Sequence, residues 1–186
     1  MADKKLKFPT PPDLVGKNIY LRPATHKDVA NTYHWFLVSD PATQACRPHP
    51  FTTAMEAAEA YQKREPTIDR QLFVIIKKKD SVPVGLIRFF DMNMLNRSTE
   101  YGLIIDPDER KKGHALEAIR LLTRYLIKTR DINKVYAQTS GKNKGAVALL
   151  EKAGFKRDGT LRHHYFYDGE LHDGYIYSLL RFEFDQ

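Results

Sequence analysis

Between Ala54 and Lys128 the apolar residues change their spacing twice, which limits the fold more than any other feature of this 186-residue chain. Thr53-Ala-Met-Glu56 has capping-box spacing, and an Ala-rich helix follows it until Pro66, which lacks a backbone donor. Residues 72–77, 84–90 and 99–105 are apolar, β-branched runs that predict three strands, close enough in sequence for an antiparallel meander. From Ala115 the spacing returns to that of a helix. Ala115, Leu116, Ile119, Leu122 and Leu126 fall on one face, and Glu117, Arg120, Arg124 and Lys128 on the other. A meander and an amphipathic helix each need a partner for their apolar side, so the chain is neither all-α nor all-β.

The flanks extend this pattern. Residues 18–22 read as a first strand, and Thr25-His-Lys-Asp28 caps a helix running to about residue 38 through Val29, Tyr33, Phe36 and Leu37. Residues 40–52, with three prolines, read as an irregular loop. A strand over 134–139 and a helix over 143–153 follow, with Gly154 placed to end the helix in a left-handed conformation. The end of the chain is β: 155–157, 161–167, an Asp168-Gly169 turn, and 175–182. The order is β-α-α-β-β-β-α-β-α-β-β, a mixed α/β fold rather than a repeating Rossmann alternation. Residues 1–15 hold three lysines and three prolines with little periodicity and read as a flexible arm; 16–186, without a Gly/Ser linker, read as a single domain.

The longest apolar runs are five residues, against the ~20 of a membrane helix. One cysteine, Cys46, rules out an internal disulfide and suits a reducing, cytoplasmic setting. A formal charge of +7 attracts anions in general. The basic residues are scattered apart from Arg110, Lys111 and Lys112, and no helix-turn-helix, zinc-finger or RNP signature is present. Neither a nucleic-acid nor a membrane partner is therefore expected. His163, His164, His172 and Asp173 fit no zinc spacing and read as hairpin residues, so no metal is expected. Lys77, Lys78 and Lys79 read as a solvated turn, and Cys46 as an ordinary loop thiol.

Arg110-Lys-Lys-Gly113-His-Ala115 is the most informative stretch. Three cations precede a helix N-terminus, where the macrodipole is already positive, at a cost of about a few tenths of a kcal/mol per charge. Gly113 lets a ligand approach the backbone, and free N–H groups beside cations suit a phosphate. A solvated basic turn is the alternative.

Arg-Lys-Lys-Gly-His-Ala resembles the Arg/Gln-x-x-Gly-x-Gly/Ala signature of the GNAT N-acetyltransferases, lying as there between a strand and an amphipathic helix. Some thirty residues on, Asn143 and Leu150-Glu-Lys-Ala-Gly-Phe155 are similar to the family's second block. The ending, Gly159-Thr-Leu-Arg through Leu180, resembles the branch with ribosomal-protein N-terminal acetyltransferases and spermidine acetyltransferases. The resemblance covers roughly residues 16–183. It implies a GNAT-like, centrally splayed sheet flanked by helices, with acetyl-CoA as cosubstrate. The N–H groups of Arg110, Lys111, Lys112, Gly113, His114 and Ala115 would bind its pyrophosphate. The backbone of Leu103, Ile104 and Ile105 would run beside the pantetheine, with an N–H near Ile105 as oxyanion donor. Asn143 would bond the pantetheine or cap its helix, with Ala146 and Leu150 beside the cofactor.

The implied reaction is acetyl transfer to a primary amine of a peptide N-terminus, an amino acid or a small molecule, by direct attack in a ternary complex. Glu100, at the start of the strand beside the thioester, would act as base or bind the substrate ammonium. Trp35 and Phe36 would line the acceptor cleft or pack in the core. Several relatives carry a proton-donating Tyr where this chain has Leu150, which would open onto the cofactor gap; Tyr136, Ser140 and Tyr165 are other candidate donors. A CoA-binding relative without catalysis and a basic nucleic-acid module remain alternatives, and a homodimer stays open.

Overall fold

The structure, a computed structural model, describes residues 10–39 and 52–184. Cys46, most of the Pro-rich loop and residues 1–9 lie outside them. Seven strands form one sheet: β1 (Ile19–Pro23), β2 (Gln71–Lys77), β3 (Pro83–Asn93), β4 (Ser98–Ile105), β5 (Lys134–Ser140), β6 (Lys156–Tyr167) and β7 (Glu170–Leu180). Their spatial order is β1-β2-β3-β4-β5-β7-β6. The meander β2–β4 is antiparallel, as its spacing predicts.

β4 and β5 are parallel and pair only at Ser98↔Lys134, Thr99↔Val135 and Glu100↔Tyr136. Beyond that point β4 stays with β3 as far as Ile105, and β5 stays with β7 as far as Ser140. The sheet is thus two halves joined by a short shared ladder and open beyond it.

The helices are α1 (His26–Thr32), α2 (His34–Leu37), α3 (Ala54–Gln62), α4 (His114–Arg130), α5 (Lys144–Lys152) and α6 (Arg181–Phe184). Both predicted capping boxes form: Thr25 with Asp28, and Thr53 with Glu56. The helix expected to run unbroken to residue 38 divides at Tyr33, whose N–H turns to the Ala30 carbonyl, three residues back, as in a tighter 3₁₀ turn. The Thr32 hydroxyl occupies the Asp28 carbonyl. α4 and α5 cover one face of the sheet through Leu122, Leu126 and Leu150, against Ile87, Phe89, Tyr101 and Ile105. The other face carries a smaller cluster of Tyr20, Trp35, Val74, Ile76 and Leu86.

Two expectations change at the ends of the chain. The arm expected over 1–15 is docked from residue 10 onward. The Thr10 hydroxyl donates to the Leu21 carbonyl, Pro12–Leu14 form a 3₁₀ turn, and Leu14 is 1% exposed in the larger core. Proline supplies the preset φ for that turn, which apolar spacing does not reveal. The last strands are longer than the apolar runs. β6 is continuous from Lys156 to Tyr167 because bulges at Arg157/Gly159 and Leu161/Tyr165 absorb residues that break the alternation.

Truncating a fully buried leucine costs about 2–5 kcal/mol. Leu14→Ala is therefore expected to lower the unfolding free energy by about that amount in urea denaturation. An unchanged midpoint would show that residues 10–15 are not part of the packed structure.

Candidate active site

The gap beyond Glu100↔Tyr136 has backbone on both sides. The Asp106 N–H donates to the Val84 carbonyl on β3. Neighbouring peptide groups in a strand point to opposite sides, so the N–H and C=O of Ile105, and likewise of Leu103, face away from β3 and into the gap. Arg110 confirms that direction, since its Nε donates to the Ile105 carbonyl at 3.4 Å and its Nη2 to Ser39 Oγ at 3.3 Å.

At the mouth of the gap, α4 begins with Gly113 at φ +89° as its N-cap and no side chain capping its first turn. Lys111 is also left-handed, at φ +61°. Alternating backbone of this kind turns successive N–H groups toward one concave point, and a Cβ built on Gly113 would meet nothing within 4 Å.

The loop before α4 is anchored by Glu109, which sequence reasoning missed. Its carboxylate accepts from Lys77 Nζ at 3.1 Å and lies 3.2 Å from both Lys112 Nζ and His114 Nε2. Lys77 foremost, with Lys112 and His114, holds the Glu109 carboxyl at about 2 against an ordinary 4.5. Lys77 and Lys78 are thus tethered rather than solvated, Lys78 by its Nζ to the Gly16 carbonyl at 2.8 Å. The cations at the positive end of α4 now have a counter-ion. Glu109 takes Lys112, Arg110 folds onto β4 and Ser39, and Lys111 is exposed.

Glu100 is 7% exposed, at the vertex where the strands part, with half-buried Tyr136 beside it in register. Across β3 and β4, Arg88 lies over Gly102: a Cβ there would stand 2.7 Å from Arg88 Nε. Its guanidinium sits 5.0 Å from the Phe90 ring, which pairs with Glu100. Asn143 caps α5, its Oδ1 accepting from the Ala146 N–H at 3.0 Å, so its amide nitrogen is left as a donor.

Three of the named positions pack inward. Leu150 is 6% exposed on the inward face of α5 and belongs to the core rather than opening on the gap. Trp35, 3% exposed, and half-buried Phe36 pack in the cluster with Ile104 under the sheet, the core alternative of their two readings. Both follow from helical spacing that turns those side chains to the sheet. Of the candidate proton donors, Ser140 is fully buried against the Tyr167 hydroxyl at 3.0 Å, Tyr165 packs on His164, and Tyr136 lies beside Glu100. His163 and His164 lie in the bulge of β6 across from His172 and Asp173 on β7, and no group of three side chains able to hold a metal ion occurs among the described residues.

An open strand edge offering amides and carbonyls, ending at an uncapped helix start ringed by cations, matches a ligand with an amide-bearing arm and a polyphosphate head. Residues 18–156 match the family model for the acetyltransferase (GNAT) domain, so the chain belongs to the GNAT acetyltransferases. It is an N-acetyltransferase using acetyl-CoA. The chain is 28% identical over 124 residues to a spermidine N(1)-acetyltransferase of Vibrio cholerae serotype O1, covering 67% of this chain and 71% of that one. It is 28% identical over 151 residues to N-acetyltransferase p20 of Bacillus licheniformis, covering 78% and 84%. A solved Vibrio cholerae spermidine N-acetyltransferase with CoA and spermine superposes at a TM-score of 0.81, with 23% identity over 91% of this chain and 99% of that one. That likeness is one of fold.

Because the folded state lowers the Glu109 pKa, its contribution is present above about 4.5 and lost as pH falls toward about 2. Glu109→Gln is therefore expected to be less stable than wild type at neutral pH. Thermal melts of the two proteins should converge as pH falls through that window. A constant difference across it would remove Glu109 as the anchor.

Proposed function

We propose that acetyl-CoA lies in the gap between β4 and β5 and that Glu100 serves the transfer at its vertex. The gap, open after three paired residues and ending at the uncapped start of α4, carries this reading. The N–H groups of residues 113–115 hold the pyrophosphate, with Lys111 reaching it from outside. The gap-facing peptide groups of Leu103 pair with the pantetheine amides, and the Asn143 amide nitrogen donates to the same arm. Acetyl-CoA supplies the activated acetyl group. The Ile105 N–H donates toward the thioester oxygen. Glu100 accepts the proton of the attacking amine, directly or through water, and Tyr136 donates to the departing sulfur.

The acceptor is a primary amine entering on the face of β4 that carries Glu100. Arg88 lies on that face across Gly102, so a guanidinium accompanies the Glu100 carboxylate there. Such a wall favours an amine with an anionic or neutral remainder, such as a peptide N-terminus or an amino acid. An α-amino group, with a pKa of about 7.7–8.0, needs less help to lose its proton than an alkyl amine near 10.4. Acetylation of a polyamine is the second reading, favoured by the relatives that act on spermidine.

Thiol release from acetyl-CoA, followed with amino acids, short peptides and spermidine, separates the two acceptors. With the best acceptor, Glu100→Gln is expected to lose about 10²-fold or more in turnover at low pH, where the amine is protonated, and less at high pH. Superimposable pH–rate profiles would remove Glu100 as the base.

A further inference from the structure

A second cavity lies at the other end of β2 and β3 from the mouth of the gap, where the docked N-terminal segment meets the last turns of α4. It has a volume of about 160 Å³. Its floor is Phe73, Phe89 and Leu14, all at least 96% buried. The two rings lie 6.4 Å apart at 38°. Tyr125 forms one side, and Ile68, 67% exposed, stands at the rim.

The polar lining is one-sided. Arg70 and Arg130 both line the cavity, and no Asp or Glu does. Arg70 is paired with Asp69 at 3.1 Å. The Arg130 guanidinium makes no hydrogen bond or ion pair with any described residue. Its sequence neighbour Asp131 does not neutralise it, because that carboxylate is held at 2.8 Å by both Arg97 and Arg181. An aromatic-floored cavity whose ionic groups are cations suits a ligand that is flat and apolar at one end and anionic at the other. Drug-sized sites run to about 300–1,000 Å³, so this one has room for a single ring with a short acidic arm.

We propose that this cavity is a binding site for a small aromatic carboxylate, with the ring on Phe73 and Phe89 and the carboxylate on Arg130. It is separate from the acetyl-CoA gap, which is lined by β4, β5 and the start of α4.

Thermal shift and calorimetric titration with phenylacetate, phenethylamine and phenylacetamide test it in the full-length protein. Phenylacetate should bind and raise the melting temperature; the amine and the amide should bind at least about tenfold more weakly. Arg130→Gln and Ile68→Glu should each weaken phenylacetate about tenfold, by removing the cation or adding a repelling charge, while leaving the shift produced by acetyl-CoA unchanged. Ile68 is exposed and Arg130 half-buried, and the intact acetyl-CoA shift also reports that the variants are folded. No binding of phenylacetate, equal binding of acid and amine, or displacement of phenylacetate by CoA would each overturn the proposal.

Discussion

The structure turns on the parting of β4 from β5. Two parallel strands that paired throughout would use up each other's backbone groups and leave a closed sheet. Here the shared ladder is three residues long, and each strand is held straight by its other neighbour, β3 or β7. The peptide groups of Leu103 and Ile105 therefore face the gap rather than a strand, with the Arg110 side chain reaching the Ile105 carbonyl. Backbone donors and acceptors removed from water need partners, so such an edge is stable only when water or a polar ligand reaches it. The fold thus leaves a strand-shaped gap whose backbone edges suit an extended molecule bearing amides.

The second requirement is met at the mouth of the same gap. A helix start without a side-chain cap, preceded by cations, is unfavourable on its own. Glu109 makes it tolerable by gathering Lys77, Lys112 and His114 on one carboxylate, and that tether also fastens the loop to the end of β2. The first-turn N–H groups of α4 and the Lys111 charge stay available to an anion. Strand edge and helix start come from consecutive segments of chain, so a ligand spanning both is positioned by one turn of loop.

The parts of this site that depend on neighbours in sequence were legible without a structure. The meander, the amphipathic α4, the left-handed glycine before it and the Asn143 cap all follow from spacing within a few residues. Glu109 was not legible, because its meaning comes from Lys77, 32 residues earlier at the end of β2. Leu14 was hidden among prolines whose turn carries no apolar period. Trp35 and Leu150 were ambiguous for the opposite reason: helical spacing says that a side chain turns inward but not whether core or cleft awaits it. In both cases it is core. The length of β6 escaped notice because its bulges interrupt the alternation that marks a strand.

The central claim is that the open edge of β4 and the start of α4 together hold acetyl-CoA. Amide hydrogen exchange resolved to single residues, with and without acetyl-CoA, tests it most directly. The account predicts that the Leu103, Ile105, His114 and Ala115 amides exchange readily in the free protein and become strongly protected together when acetyl-CoA binds. The β3-paired amides of Ile104 and Asp106 should change little. Protection that appears elsewhere, or that leaves Leu103 and Ile105 exchanging as before, would contradict it.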